Sequence, residues 1–345
     1  MMNLHLYNDP GQVVNCRQFT VHLREGTEVH ELVAEVWRGE FLESVHHGSV
    51  VAVDAQGRQV LAVGQPDELT YPRSSNKPFQ GLAMVRSGLA LDGELLALAC
   101  ASHSGEPFHV EGARRILAGA GLTEDALQCT PDLPLGEQAK QALLAGGGQS
   151  APIYMNCSGK HAAMLATCVH NGWSTHDYLE PGHPLQLAAR TALEDLSGES
   201  VGAVGVDGCG APLFAITLTG LARAFGRLAA APAGTPERRV AEAMSRYPEW
   251  VGGTGRDVTE LMAALPGSVA KDGAEGVYAI GLPDGSAVAV KIADGSTRAR
   301  PVVVVAALRE LGLDVSGLSA LAEAPVLGHG RKVGGVRPAF AAVAA

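Results

Sequence analysis

The sequence is poor in charge, in aromatic rings and in cysteine. Charged residues make up 18% of its 345 residues and aromatic residues 5%. The scarcer sign is positive, 26 Lys and Arg against 36 Asp and Glu, for a formal net charge of −10. That balance argues against nucleic acid or an anionic membrane as the main partner, because both select a basic face. The cysteines Cys16, Cys100, Cys129, Cys157, Cys168 and Cys209 include no Cys-x-x-Cys pair and are too sparse for a disulfide framework. Long apolar runs are missing too. The most apolar stretch, 302–308, is closed in by Pro301 and Arg309 and is far too short to cross a bilayer. The first residues, MMNLHLYNDPGQ, have no basic segment followed by an apolar run, so no signal peptide is expected and a reducing cytoplasm is the expected setting. What is plentiful is glycine, 43 residues, within a chain that is 46% hydrophobic. Such a chain buries a large core and turns tightly. It is not disordered.

No repeat, low-complexity tract or long charged linker interrupts the chain. EVHELVAEVWRG, ESVHHGSVVAVDAQG and RQVLAVG, between 28 and 64, alternate apolar and polar residues and read as strands, with a hairpin turn at Asp54–Gly57. A helix is expected over 75–87, capped by Gly88. ELLALACA at 94–101 fits either strand or helix. Helical patterns follow at 111–122, 160–172 and 184–198, a short buried strand at 203–206, strands at 276–281 and 286–293, and a late helix from 302. Strands first, helices in the middle and a hairpin with a helix at the end predict an α+β, mixed α/β protein whose sheet is antiparallel and flanked by helices. One catalytic domain is expected over 1–345, or two packed lobes: a sheet lobe from 12–72 and 265–345, and a helical, active-site lobe from 73–264.

Five segments could carry chemistry. In Arg73-Ser74-Ser75-Asn76-Lys77, Ser74 and Lys77 are three apart at a helix start, which puts them on one helical face. A neutral Lys there could take the hydroxyl proton, as in Ser-x-x-Lys enzymes. Pro78 is tolerated only in a first helical turn, so it holds Ser74 near the helix cap. The plain alternative is a capping Ser and a solvated Lys. A free Lys has a pKa near 10.4, and lowering it by three units costs roughly 4 kcal/mol. Burial or a second cation must supply that, and Lys160 and Lys271 are available.

The segment Cys100-Ala101-Ser102-His103-Ser104-Gly105-Glu106 places hydroxyls where an apolar element gives way to a loop, although a Ser-stabilised turn explains it as well. In Asn156-Cys157-Ser158-Gly159-Lys160-His161, the spacing of Cys157 and His161 suits metal ligation on a helix, with core packing the alternative. A phosphate loop is rejected, because Tyr154 stands where its first glycine belongs. Asp207-Gly208-Cys209-Gly210 could hold an amine or a metal, or be only a tight turn. Lys271-Asp272-Gly273 is expected just before a strand. It resembles the third element of Ser-x-x-Lys folds, with Asp272 where a hydroxyl is usual.

Together the stretches RSSNKPFQ, CASHSGE, NCSGKHAAML, DGCGAP, KDGAEG and VKIADGS resemble the L-asparaginase II family, the zinc-containing third class of asparaginases, whose fold is related to serine β-lactamases and glutaminases. The resemblance implies two Ser–Lys pairs, Ser74 with Lys77 as nucleophile and base, and Ser102 with Lys271 relaying protons and keeping Lys77 neutral. It implies zinc, modulatory or essential, on Cys157, Lys160 and Cys209. For substrate binding it implies Arg73 at the α-carboxylate, Asp207 at the α-ammonium or a metal-bound water, His161 beside the metal, and His103 in the CASHSGE stretch. A homodimer acting on L-asparagine is likewise implied. The other readings are a related glutaminase-like amidohydrolase and a non-catalytic zinc- or amino-acid-binding protein.

Overall fold

A computed structural model of the chain describes residues 30–340. Cys16 and the expected sheet segment at 12–29 lie outside the described residues. The alternating N-terminal residues form β1 (Glu31–Arg38), β2 (Phe41–Val53) and β3 (Gln59–Val63). The β2–β3 turn falls at Asp54–Gly57, where Gly57 donates to the Asp54 carbonyl at 2.8 Å with a φ of +76° that glycine adopts without strain. A short β4 (Leu69–Thr70) and a 3-10 turn at Arg73–Asn76 lead into α1 (Lys77–Arg86). Then come α2 (Gly93–Ala99), α3 (Pro107–Gly119), α4 (Glu137–Ala145), α5 (Ser158–Asn171) and α6 (Pro184–Ser197). The ambiguous run at 94–101 is therefore helical. The helices α5 and α6 stop at Gly172 and Gly198, both in left-handed backbone.

The second half contains β5 (Ala203–Val206), β6 (Pro212–Thr217), α7 (Leu218–Ala229), α8 (Pro236–Arg246), α9 (Pro248–Val251), α10 (Asp257–Ala264), β7 (Val269–Asp272), β8 (Val277–Gly281), β9 (Ala287–Ile292), α11 (Arg300–Glu310), β10 (Ala324–Gly328) and β11 (Arg331–Pro338). An eight-stranded sheet runs in the order β10-β11-β1-β2-β9-β8-β7, with β3 also paired to β2. Every pairing in it is antiparallel, as the sequence predicts. A three-stranded sheet, β4-β6-β5, stands apart.

Side chains alternate along a strand, so Tyr278 and Gly281 in β8 point to opposite faces. A Cβ on Gly281 would lie 2.1 Å from the Phe225 carbonyl of α7, whereas Tyr278 meets the guanidinium of Arg300 in α11. Helices therefore cover both faces of the sheet. That accounts for the burial of every residue of β8 and nearly every residue of β9.

One expectation needs correction. The strand at 203–206 is not buried: Val206 is 76% exposed, because β5 is an edge strand paired only with β6. Lys271 and Asp272 do precede a strand, β8, and they also end one of their own, β7. That strand, with β10 and β11, completes the sheet beyond the hairpin read from the sequence.

Candidate active site

Four elements converge on two buried lysines. The 3-10 turn before α1 is docked on β7 by the Ser75 hydroxyl, which donates to the Lys271 carbonyl at 2.9 Å. The approach is close enough that a Cβ on Gly273 would lie 2.7 Å from the Pro72 carbonyl. Lys77 opens α1 with Pro78 behind it. Its side chain is 1% exposed, and its amine donates to the Ala101 carbonyl (2.7 Å) and to Ser102 Oγ (2.8 Å). Lys271, fully buried, donates to the Asp272 carbonyl at 2.7 Å and to Asp272 Oδ1. The other Asp272 oxygen accepts from Arg256 at 2.7 Å. Burial pulls the Lys271 amine from 10.5 down to about 8, with Lys77 and Arg256 pushing the same way and Asp272 opposing.

Ser74 sits at the mouth, partly exposed, and its hydroxyl makes no hydrogen bond among the described residues. Arg73 beside it has a φ of +50°, a backbone conformation that costs a non-glycine residue of order 1–3 kcal/mol. Its guanidinium lies between two carboxylates. Nε donates to Asp207 Oδ1 at 2.8 Å, and an outer nitrogen lies 3.6 Å from Glu275. Asp207 begins the β5–β6 turn, closed by the Gly210 amide on the Asp207 carbonyl at 2.8 Å, with Gly210 at φ +86°. The site thus presents a cation and a carboxylate side by side next to an unbonded hydroxyl.

The same turn carries Cys209 to the start of α5. Cys157 caps that helix, and Lys160 and His161 lie in its first turn, both buried. Lys160 Nζ is 3.2 Å from Cys209 Sγ. A hydrogen bond from Cys157, helped against burial by Lys160 and His161, holds the Cys209 thiol far below its usual range, and the same bond and burial push Cys157 up. Burial opposes a charge on Lys160, but the two sulfurs outweigh it and raise its pKa. His161 Nδ1 meets the Tyr178 hydroxyl at 2.8 Å, while its Nε2 is buried without a partner.

Two thiols, an amine and an orphaned imidazole nitrogen are soft and borderline donors, and by chemistry they fit zinc. Among the described residues no group of three His, Cys, Asp or Glu is arranged to hold a metal, so the fit depends on the Lys160 amine as third donor. A cation there would displace the protons these groups share.

The sequence profile of the L-asparaginase II family matches residues 34–338. The chain belongs to that family. No curated protein matches it. Among solved structures it is similar to a β-lactamase from Mycobacterium bovis, at 14% identity and a TM-score of 0.45, over 77% of this chain and 95% of that one. It is also similar to the protein Mglu, at 15% identity and a TM-score of 0.36, over 79% of this chain and 67% of that one.

In this L-asparaginase II family member, the five motif segments meet although they are far apart in the chain. Lys77 is joined by a hydrogen bond to Ser102, and none joins it to Ser74 or joins Ser102 to Lys271. His103 is fully buried and held neutral by burial. One ring nitrogen meets Ser158 Oγ at 2.9 Å and the other accepts from the Gly105 amide at 3.1 Å, so the ring fastens the Ser102 segment to α5. No sequence pattern marks Arg256, which reaches the site only through tertiary contact, or Tyr178 behind His161. A cavity of about 440 Å³ between α3 and α4, lined in part by Val110, Arg114, Leu143 and Tyr154, contains none of the Ser–Lys residues.

Proposed function

We propose that the protein is an L-asparaginase that hydrolyses the side-chain amide of L-asparagine through a serine acyl-enzyme. The observation carrying this reading is a buried amine, Lys77, bonded only to a carbonyl and a serine hydroxyl, one helical turn from an unbonded serine that adjoins the Arg73–Asp207 pair. An amino-acid amide presents a carboxylate and an ammonium on one carbon. Arg73 takes the carboxylate and Asp207 the ammonium. Ser74 Oγ then attacks the carboxamide carbon, and its proton passes to Lys77 with Ser102 as relay. Collapse of the tetrahedral adduct returns that proton to the departing nitrogen, so ammonia leaves and an aspartyl ester remains. Water, deprotonated by the same Lys77, cleaves the ester to aspartate and restores Ser74. Lys271 is the neighbouring cation of Lys77.

Cys157, Lys160 and Cys209 would hold zinc, with His161 at its flank. When bound, the metal supplies a fixed charge that orders the Asp207–Gly210 turn. Among the described residues no helix is long and apolar enough to cross a membrane. The five described cysteines are free, which supports a reducing cytoplasm. The homodimer rests on family resemblance, and we read the chain as one catalytic domain.

The test is ammonia release from L-asparagine, L-glutamine and simple amides. Wild type should turn over L-asparagine well above the others, and Ser74→Ala should lose nearly all activity while keeping its fold. Full activity in Ser74→Ala would transfer the attack to another hydroxyl, with Ser102 next in line.

A further inference from the structure

Two motif stretches contain residues that the proposed chemistry leaves unused, Glu275 in KDGAEG and both Lys291 and Gly295 in VKIADGS. They meet at the mouth of the site. Glu275 lies in the turn between β7 and β8 at a φ of +57°. Among the described residues only Arg73, Glu275 and His329 are non-glycine residues with positive φ. The side chains of the first two face each other, with Arg73 Nη1 3.6 Å from Glu275 Oε1. The turn is held from two sides. A Cβ on Gly273 would lie 3.1 Å from Ser75 Oγ, so the turn rests on the segment that carries Ser74. Lys291 of β9 donates to the Glu275 carbonyl and, at 3.1 Å, to the Ile292 carbonyl. A Cβ on Gly295 would lie 3.1 Å from Glu275 Oε2, so the carboxylate packs close over that glycine. A left-handed glutamate costs of order 1–3 kcal/mol that glycine would avoid. What the strained turn delivers is a carboxylate beside Arg73.

The two carboxylates on Arg73 differ. Asp207 is 13% exposed, and its Oδ1 accepts from Arg73 Nε at 2.8 Å and from the Gly208 amide at 2.9 Å. Glu275 is 65% exposed, and its 3.6 Å approach is too long for a hydrogen bond. An exposed pair of that kind contributes at most about 1 kcal/mol. A ligand carboxylate arriving at the outer nitrogens of Arg73 therefore displaces it readily.

We propose that Glu275 is a specificity-determining residue, which gives up Arg73 to the substrate's α-carboxylate and takes the α-ammonium opposite Asp207. This rests on the hydrolase reading and deepens it, by restricting the substrates to amides that carry both charges on one carbon. A zwitterion adds one charge of each sign, and each finds its opposite. An amide acid without the α-ammonium brings a carboxylate beside Asp207 and Glu275 and no cation of its own, so the same glutamate that favours the first ligand opposes the second.

The experiment measures KM and kcat for ammonia release from L-asparagine, and the competitive inhibition constant of succinamate, which is L-asparagine without its α-ammonium. Wild type is compared with Glu275→Gln and Glu275→Gly. Glycine is at home at this φ, so Glu275→Gly removes the carboxylate and keeps the turn. In both variants KM for L-asparagine should rise about 5- to 50-fold with kcat nearly unchanged, the loss of one charge-assisted contact made equally in ground and transition states. The succinamate constant should hold or fall. A ratio of succinamate constant to L-asparagine KM that drops more than about fivefold supports the proposal. A smaller drop, a parallel weakening of both ligands, or a loss confined to kcat overturns it and leaves Glu275 a part of the turn only. If Glu275→Gln does not fold, Glu275→Gly decides. A wild type inactive on every amide would instead refute the hydrolase reading.

Discussion

Replacing Lys77 with methionine separates chemistry from folding at the centre of the site. The lysine is 1% exposed, and methionine follows nearly the same unbranched path without a head group. Two acceptors lose their donor, the Ala101 carbonyl and Ser102 Oγ. An unsatisfied buried group costs about 1–3 kcal/mol, but removing a buried amine relieves a desolvation penalty of comparable size. The net change in stability should therefore stay within about 2 kcal/mol. The kinetic loss should be larger. A general base contributes roughly 10²–10⁴ in rate, which is about 2.7–5.4 kcal/mol in the barrier. In the proposed mechanism Lys77 serves both attack and ester hydrolysis, so the upper end is expected. The assay is the initial rate of ammonia release under saturating L-asparagine, beside a thermal melt of the same sample. Lys77→Arg should be equally inactive, because a guanidinium keeps the charge but does not lose its proton at any assay pH. A folded Lys77→Met protein within tenfold of wild type would refute the reasoning, and an active Lys77→Arg would reduce Lys77 to an electrostatic role.

Purified wild type should carry about one zinc per chain if two thiols and an amine form the site, and Cys209→Ser should carry almost none. Elemental analysis after dialysis decides, and equal metal in both proteins would place any ion elsewhere. Gly281→Ala should destabilise by at least about 1–3 kcal/mol, because its methyl would meet the Phe225 carbonyl where α7 rests on β8. An unchanged melting temperature would mean that this helix does not approach the sheet as closely as described.

Much of the fold could be read from the sequence because its signals are local. Alternation between glycine turns marks β1 to β3, and Gly172 and Gly198 stop α5 and α6 where the helical pattern ends. What escaped depends on distant partners. The residues of β5 look apolar enough for a core, yet nothing in four residues says that the strand will stand at the edge of a small sheet. Neither β10 nor β11 alternates cleanly, since Gly334 and Gly335 break the pattern in β11. These two strands are fixed by pairing with each other and with β1, nearly three hundred residues earlier.

The candidate site divides along the same line. Its residue types could be found by motif, but its wiring could not. Three-residue spacing says that Ser74 and Lys77 share a helical face. It does not say where a four-carbon chain will carry its head group. The segment before α1 is a 3-10 turn, with the α-helix beginning at Lys77 itself, so the face on which the spacing argument relies changes at that residue. The amine therefore goes where burial demands acceptors, to the Ala101 carbonyl and Ser102. Arg256 shows the limit most sharply. It lies in no motif and reaches the site by pairing with Asp272, which the sequence marks merely as an unusual substitute for a hydroxyl. A residue that joins a site only by pairing with a carboxylate there has no local pattern by which to be found, and only the assembled contacts expose it.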